Sequence, residues 1–218
     1  MRVALVHDWL TGMRGGEMVL EELCHMFPRA DIYTLIHIIG SVSKTIESHK
    51  IVTSFLQKFP MVGKKYRWFL PLMPRAIESL KLDGYDLVIS SSHCVAKGVK
   101  TGGARHICYC HTPMRYAWDM YDQYFNSERM SPLTLFAIEK IMPGLREWDV
   151  KTAPRVDRFV ANSHYVKERI QRIYNASADV IYPPVDTGFY TLGQGKREKY
   201  LIVSAFAPYK RIDLAVEA

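Results

Sequence analysis

Val3-Ala4-Leu5-Val6-His7-Asp8-Trp9-Leu10-Thr11-Gly12-Met13-Arg14-Gly15-Gly16-Glu17-Met18-Val19-Leu20-Glu21-Glu22-Leu23-Cys24-His25-Met26-Phe27 is the stretch on which the fold turns. Val3 to Val6 is a short apolar run, the mark of a buried strand. Thr11-Gly12 and Gly15-Gly16 are turn signals. Beyond them Val19, Leu20, Leu23, Met26 and Phe27 recur at helical spacing until Pro28 stops the pattern. The stretch reads as strand, glycine loop, helix.

The rest of the chain repeats that alternation. Strands are expected at Asp31 to Ile36, Asp86 to Ser90, Arg105 to Cys110, Arg158 to Ala161 and Asp179 to Tyr182, the last closed by Pro183-Pro184. A helix-like stretch between Pro132 and Pro154 is punctuated by Pro143-Gly144. Asn162-Ser163 supplies an N-cap for a helix with Val166, Ile170, Ile173 and Tyr174 on one face. Strands alternating with helices imply right-handed crossovers and an α/β, doubly wound parallel sheet. Ligands of such sheets bind at the carboxyl ends of the strands. That places His7-Asp8 through Gly16, Ser90 to His93, Cys110 to Arg115, and Asn162-Ser163 on one rim.

Length sets the domain plan. The 218 residues suit one α/β domain with a remainder. Residues 1–190 read as an N-terminal Rossmann-like domain and the glycine-rich, charged residues 191–198 as a linker. Residues 199–218 read as the truncated start of a C-terminal domain, with a strand at Tyr200 to Val203 and a helix from Arg211. The charge of +7 favours anionic partners without choosing among phosphates, acidic headgroups and nucleic acid. The apolar run before His7 is too short for a membrane span or a signal peptide, which points to the cytoplasm and reduced thiols at Cys24, Cys94, Cys108 and Cys110.

Several segments carry candidate chemistry. The loop Gly12-Met13-Arg14-Gly15-Gly16-Glu17 offers backbone N–H groups and a helix start to a phosphate or sugar hydroxyl, although glycines there also serve a tight turn. The run His106-Ile107-Cys108-Tyr109-Cys110-His111-Thr112-Pro113-Met114-Arg115 is the densest in reactive side chains. On a strand His106, Cys108 and Cys110 share one face and Tyr109 and His111 the other, so they do not converge on a metal and none is expected. His111 stands where that strand ends, able to reach the rim with Arg115 one turn beyond, or else to serve the structure. Phe55 to Met73 mixes aromatics with Lys58, Lys64, Lys65 and Arg67 and no acid. This suits either an interfacial segment, with Trp68 and Phe69 entering the acyl boundary, or a basic cover over the core. Lys210 and Arg211 follow the expected second-domain strand, where a cation can neutralise a diphosphate or simply begin a solvated helix.

Read in order, HDW…RGGE, CHTPMRYAWD, ANSHYVKERI, PPVD and SAFAPYKRIDLAVEA resemble the family 4 retaining glycosyltransferases of GT-B fold, in particular the mannosyltransferases of bacterial lipopolysaccharide O-antigen assembly. The resemblance implies two Rossmann-like domains facing across a cleft, the C-terminal one holding the sugar nucleotide. It implies transfer of a hexosyl group, mannose from GDP-mannose, to a lipid-linked saccharide with retention, at an anionic membrane surface on the inner face, with no cofactor and no nucleic acid. Gly15 and Gly16 then lie near the donor phosphate and the acceptor. His111 corresponds to the histidine that contacts the donor sugar, Lys210 to the lysine that clamps the diphosphate with Arg211 beside it, and Arg115 and Ser163 fall on the cleft. Two departures stand out. Ala205 occupies a place where many members have arginine, and the family's pair of glutamates seven residues apart is absent from these residues, so the chain is not expected to catalyse transfer alone. Competing readings are a sugar-nucleotide epimerase on the same fold and a basic RNA-binding module without chemistry.

Overall fold

Seven parallel strands form the centre of the molecule, in the order β3-β2-β1-β4-β5-β6-β7. The computed structural model describes residues 1–128, 130–191, 193, 195, 199–204 and 210–218. In chain order the elements are β1 (Val3–His7), α1 (Gly15–Met26), β2 (Asp31–Thr34), α2 (Lys44–Glu47), β3 (Ile51–Thr53), α3 (Val62–Lys65), α4 (Met73–Glu78), β4 (Leu87–Ser92) and β5 (Arg105–Cys110). They continue with α5 (Tyr121–Tyr124), α6 (Pro132–Thr152), β6 (Arg158–Ala161), α7 (His164–Tyr174), β7 (Ala178–Val180) and α8 (Ile212–Glu217). This is the doubly wound α/β sheet expected, and its strand order reverses between β1 and β4.

The alternation of β1 divides the core between two layers. Val3 and Leu5 face Leu20 and Cys24 of α1, together with Ile32 and Ile46. Ala4 and Val6 face Met73, Ala76 and Ile77 of α4 and the apolar run Val95, Ala96 and Val99. With both sheet faces covered, a strand such as Val3–His7 has no solvent side, which is why all five of its residues are buried. A third cluster packs Cys108, Cys110, Phe159 and Ala161 on Val166, Ile170 and Tyr174 of α7. Ser163 caps α7 by accepting the N–H of Val166, and Asn175 ends it in the left-handed region at φ 51°.

The structure departs from the sequence reading at several points, among them β2, which ends at Thr34 and not Ile36, and β4, which runs on to Ser92. α6 runs unbroken through Pro143-Gly144, because Met142 and Leu145 are buried on either side of the pair and their packing outweighs one lost helix bond. Tyr200 to Val203 is not a strand: no partner strand pairs with it among the described residues, and Tyr200, Leu201 and Val203 are exposed. The last strand covers Ala178–Val180, although the Ile181 N–H still donates to Ala161 O. The edge strand β3, three residues long, is too brief to give a periodic signal.

Phe55 to Met73 forms a succession of short turns, Phe55–Lys58, α3 and Tyr66–Leu72, leading into α4. Leu56, Val62, Tyr66 and Met73 anchor it in the core. Among the described residues no helix is long and apolar enough to cross a membrane.

Candidate functional site

The registers bring three strand ends level at the point where the sheet order reverses. His7 pairs with Ser91 across β1 and β4, and Ser92 with Cys110 across β4 and β5. The next residues on the same edge are Asp8, His93 and His111. A parallel sheet puts the carboxyl ends of all its strands at one edge, so His93 and His111, 85 and 103 positions beyond Asp8, meet it there.

His111 and the glycine loop touch. A Cβ on Gly16 would stand 3.4 Å from His7 Cε1 and 3.7 Å from His111 Nε2, so a hydrogen at this position seats the first turn of α1 against both rings. A Cβ on Gly15 would meet nothing within 4 Å, which leaves that side of the turn open. Arg14, the residue before the helix, makes no side-chain cap bond. His111 Nε2 lies 2.8 Å from Ser91 Oγ, and Tyr109 packs edge-on to the His111 ring at 5.2 Å. Burial, and then the neighbouring His7 and His93, push the His111 pKa down to about 3. Among the described residues its Nδ1 makes no hydrogen bond.

Asp8 holds the adjoining wall. Its carboxylate accepts the backbone N–H groups of His93 and Cys94 on Oδ2 and of Val95 and Ala96 on Oδ1, at 2.7–2.9 Å. His93 Nδ1 stands 3.0 Å from the same Oδ2. Burial disfavours the charge, but the adjacent His93 and the N–H donors hold this carboxyl well below the usual range. The His93 ring packs edge-on to Trp9 at 4.6 Å and lies 6.4 Å from His111.

Behind the rim, α7 fastens the loop that carries His111. Buried Arg169 donates to Thr112 Oγ1 and, at 3.4 Å, to Pro113 O. Its Nε pairs with Asp119 at 2.5 Å, and Arg172 reaches the same carboxylate at 2.6 Å. Further in, fully buried Lys97 pairs with Asp149 at 3.0 Å, bonds to the Thr152 hydroxyl at 3.0 Å and faces the Tyr174 ring at 4.6 Å. Asp149 also accepts Trp118 Nε1–H at 2.8 Å and the Tyr174 hydroxyl. This one ion pair ties the turn after β4 to α6 and α7.

The remaining candidates separate. Ser163 lies at the carboxyl end of β6, where its hydroxyl is taken up as the cap of α7. Arg115 is half-buried in the turn after His111, and its carbonyl accepts the Met120 N–H. Arg211 pairs with Asp213 at 2.9 Å on an exposed segment, and Lys210 beside it is exposed. Lys58, Lys64, Lys65 and Arg67 are all exposed, with Lys65 over the Trp68 ring at 4.8 Å. Trp68 is 77% exposed, whereas Phe69 is half-buried against Phe59. His106 is structural, bonded to Ser90 and to the Arg155 carbonyl, and burial lowers its pKa to about 4.

Sequence reading put Ser91 on the rim within Ser90 to His93 without singling it out, and passed over Lys97, Asp149 and Arg169. A lysine within Cys94-Val95-Ala96-Lys97-Gly98-Val99 and an aspartate in phase with Met142 and Leu145 on α6 were the available signals for the buried pair.

Known proteins share this fold. The family described as Glycosyltransferase Family 4 matches residues 13–189. Among solved structures, Anabaena HepE in complex with UDP superposes with a TM-score of 0.52 at 14% identity, covering 89% of this chain and 47% of that one. The apo form of the lipopolysaccharide outer core galactosyltransferase WaaB superposes with a TM-score of 0.50 at 15% identity, over 91% of this chain and 50% of that one. The chain spans about half the length of these structures, and at such identity the likeness is one of fold. No curated protein matches the sequence.

Proposed function

The chain belongs to Glycosyltransferase Family 4, and on that premise we propose that it is the acceptor-side portion of a GT-B enzyme that transfers a hexosyl group from a sugar nucleotide. The observation that carries this reading is the convergence of His111, His93 and the Gly15-Gly16 turn at the edge where β1 and β4 part. A sugar seated there has a ring nitrogen at its face and a helix start, whose preceding Arg14 makes no side-chain cap bond, beside its leaving diphosphate. The donor is taken as GDP-mannose, the acceptor as a lipid-linked saccharide and the outcome as retention. Lys210 and Arg211 would complete the diphosphate clamp from the second domain. The direct test supplies the full-length enzyme with radiolabelled GDP-mannose and a lipid-linked saccharide and determines the anomeric configuration of the product. Nucleotide release without a glycosylated lipid would overturn the reading.

The donor is assigned to the second domain, so this chain alone should bind it poorly. Calorimetric titration of the 218 residues with GDP-mannose is expected to give little or no heat of binding. Sub-micromolar affinity would place the donor site here instead.

A lipid-linked acceptor requires the enzyme at a membrane, and the Phe55–Met73 segment fits that task, on the cytoplasmic face. Its core-facing anchors leave Lys58, Lys64, Lys65, Arg67 and Trp68 exposed, and Phe55 and Phe59 with them. Each cation near an anionic leaflet is worth about 1 kcal/mol, and that part is screened by salt. Co-sedimentation with liposomes is therefore expected to rise with anionic lipid content, fall with salt, and drop in the Lys64→Glu plus Lys65→Glu variant. Binding insensitive to all three would leave the segment as a cover for the core.

A further inference from the structure

Behind the strand-end edge that carries His111, which forms a crevice with the Gly15-Gly16 turn, four side chains from three elements and one strand-end loop form a polar file. Glu17 Oε1 lies 3.7 Å from His7 Nε2, His7 Nδ1 lies 3.1 Å from Ser91 Oγ, and Ser91 Oγ lies 2.8 Å from His111 Nε2. Glu17, His7 and Ser91 are buried, and of the four only His111 reaches the crevice. A serine hydroxyl has one proton, so between two ring nitrogens it donates to one and accepts from the other. The far end of the file decides which.

Glu17 is that end. Burial works against its charge, but His7 and the residue's own backbone N–H lower its pKa, so it stands as a carboxylate that only accepts. His7 Nε2 is buried, has no hydrogen-bond partner among the described residues, and stands 3.7 Å from that carboxylate. A lone pair there would face negative charge, so Nε2 carries the proton. In the neutral ring Nδ1 is then the acceptor, Ser91 donates to it, and the Ser91 oxygen is left to accept from His111. We propose that Glu17, His7 and Ser91 are positioning residues that fix His111 as its Nε2–H tautomer and so present the Nδ1 lone pair to a hydroxyl of the bound sugar. The ligand in this statement rests on the transferase reading, whereas the tautomer does not. The other titratable groups near the file stand outside it: Asp8 is engaged by backbone N–H groups, and the His93 ring lies 6.1 Å from that of His7. The depressed basicity of His111 keeps its ring neutral near pH 7, the state in which one nitrogen donates and the other accepts.

Long-range proton–nitrogen correlation spectra of the 15N-labelled chain read the tautomer of each ring directly. The expected result is a protonated Nε2 and an unprotonated Nδ1 on both His7 and His111, with the His111 Nε2–H exchanging slowly. Glu17→Leu, which removes a group that does not hydrogen-bond to His111, should abolish the single tautomer on both rings. Ser91→Ala should release His111 alone and make its N–H exchange fast. A protonated Nδ1 on either ring of the wild type overturns the proposal, and so does a folded Glu17→Leu or Ser91→Ala chain whose His111 signals match the wild type. Because the wild-type spectrum is itself decisive, the proposal stays open to refutation even where a variant does not fold. Failure of the full-length enzyme to transfer sugar would remove the ligand assignment and leave the tautomer result standing.

Discussion

Replacing His111 with alanine in the full-length enzyme is expected to lower turnover about 10²–10³-fold, the usual loss when a group that stabilises developing charge is removed. The fold should survive. The side chain is half-buried at a strand end, and the hydrogen bond it gives up, to Ser91, is worth about 1 kcal/mol net. Loss of an interaction made chiefly in the transition state lowers kcat and kcat/KM together and leaves KM nearly unchanged. Steady-state kinetics at saturating donor, with a thermal melt as control, separate these outcomes. An unchanged kcat would take His111 out of the mechanism, and a collapsed melting temperature would make it a structural residue.

Asp149→Ala is expected to cost about 3–5 kcal/mol, the penalty for leaving a buried charge without its partner. The substitution strands the Lys97 ammonium, the Trp118 indole N–H and the Tyr174 hydroxyl in a space already closed to water. Total stability of a domain is commonly about 5–15 kcal/mol, so much of the folding free energy rests on this carboxylate. Urea unfolding should show the midpoint falling with the slope unchanged. Coupling with Lys97→Met should recover a large part of the loss, since the double variant buries no unpaired charge. If Asp149→Ala unfolds at the wild-type midpoint, the pair contributes nothing to stability.

How much of this was legible in the chain depended on the distance between partners. The alternation of short apolar runs with helical spacing disclosed the sheet, and the rule that ligands gather at carboxyl ends placed His111 on the same rim as Gly16. Ser91 fell within the rim segment Ser90 to His93 but stands in a run of three serines, and only the register that sets it opposite His7 distinguishes it from its neighbours. Lys97 and Asp149 are 52 residues apart, and neither local pattern reports the other. For Phe55 to Met73 composition disclosed a basic aromatic surface. It could not separate the rings that anchor, such as Tyr66, from those that face outward, such as Trp68, because 3-10 turns break the helical period. The strand expected at Tyr200 to Val203 failed for the same kind of reason, since a ladder needs a neighbour that no local run can supply.

The place of β1 in the sheet also sets an order in time. It is the first strand made, yet it lies between β2 and β4, and the residues that complete its inner edge begin at Leu87. At typical synthesis rates that interval is on the order of ten seconds, during which Val3-Ala4-Leu5-Val6 is an apolar segment with one edge unfilled. A nascent chain in that interval invites holdase chaperones and mispairing. The contact of His7 with Ser91 can form only when the interval ends, so the polar file behind His111 cannot assemble until β4 and the turn after β5 have been made.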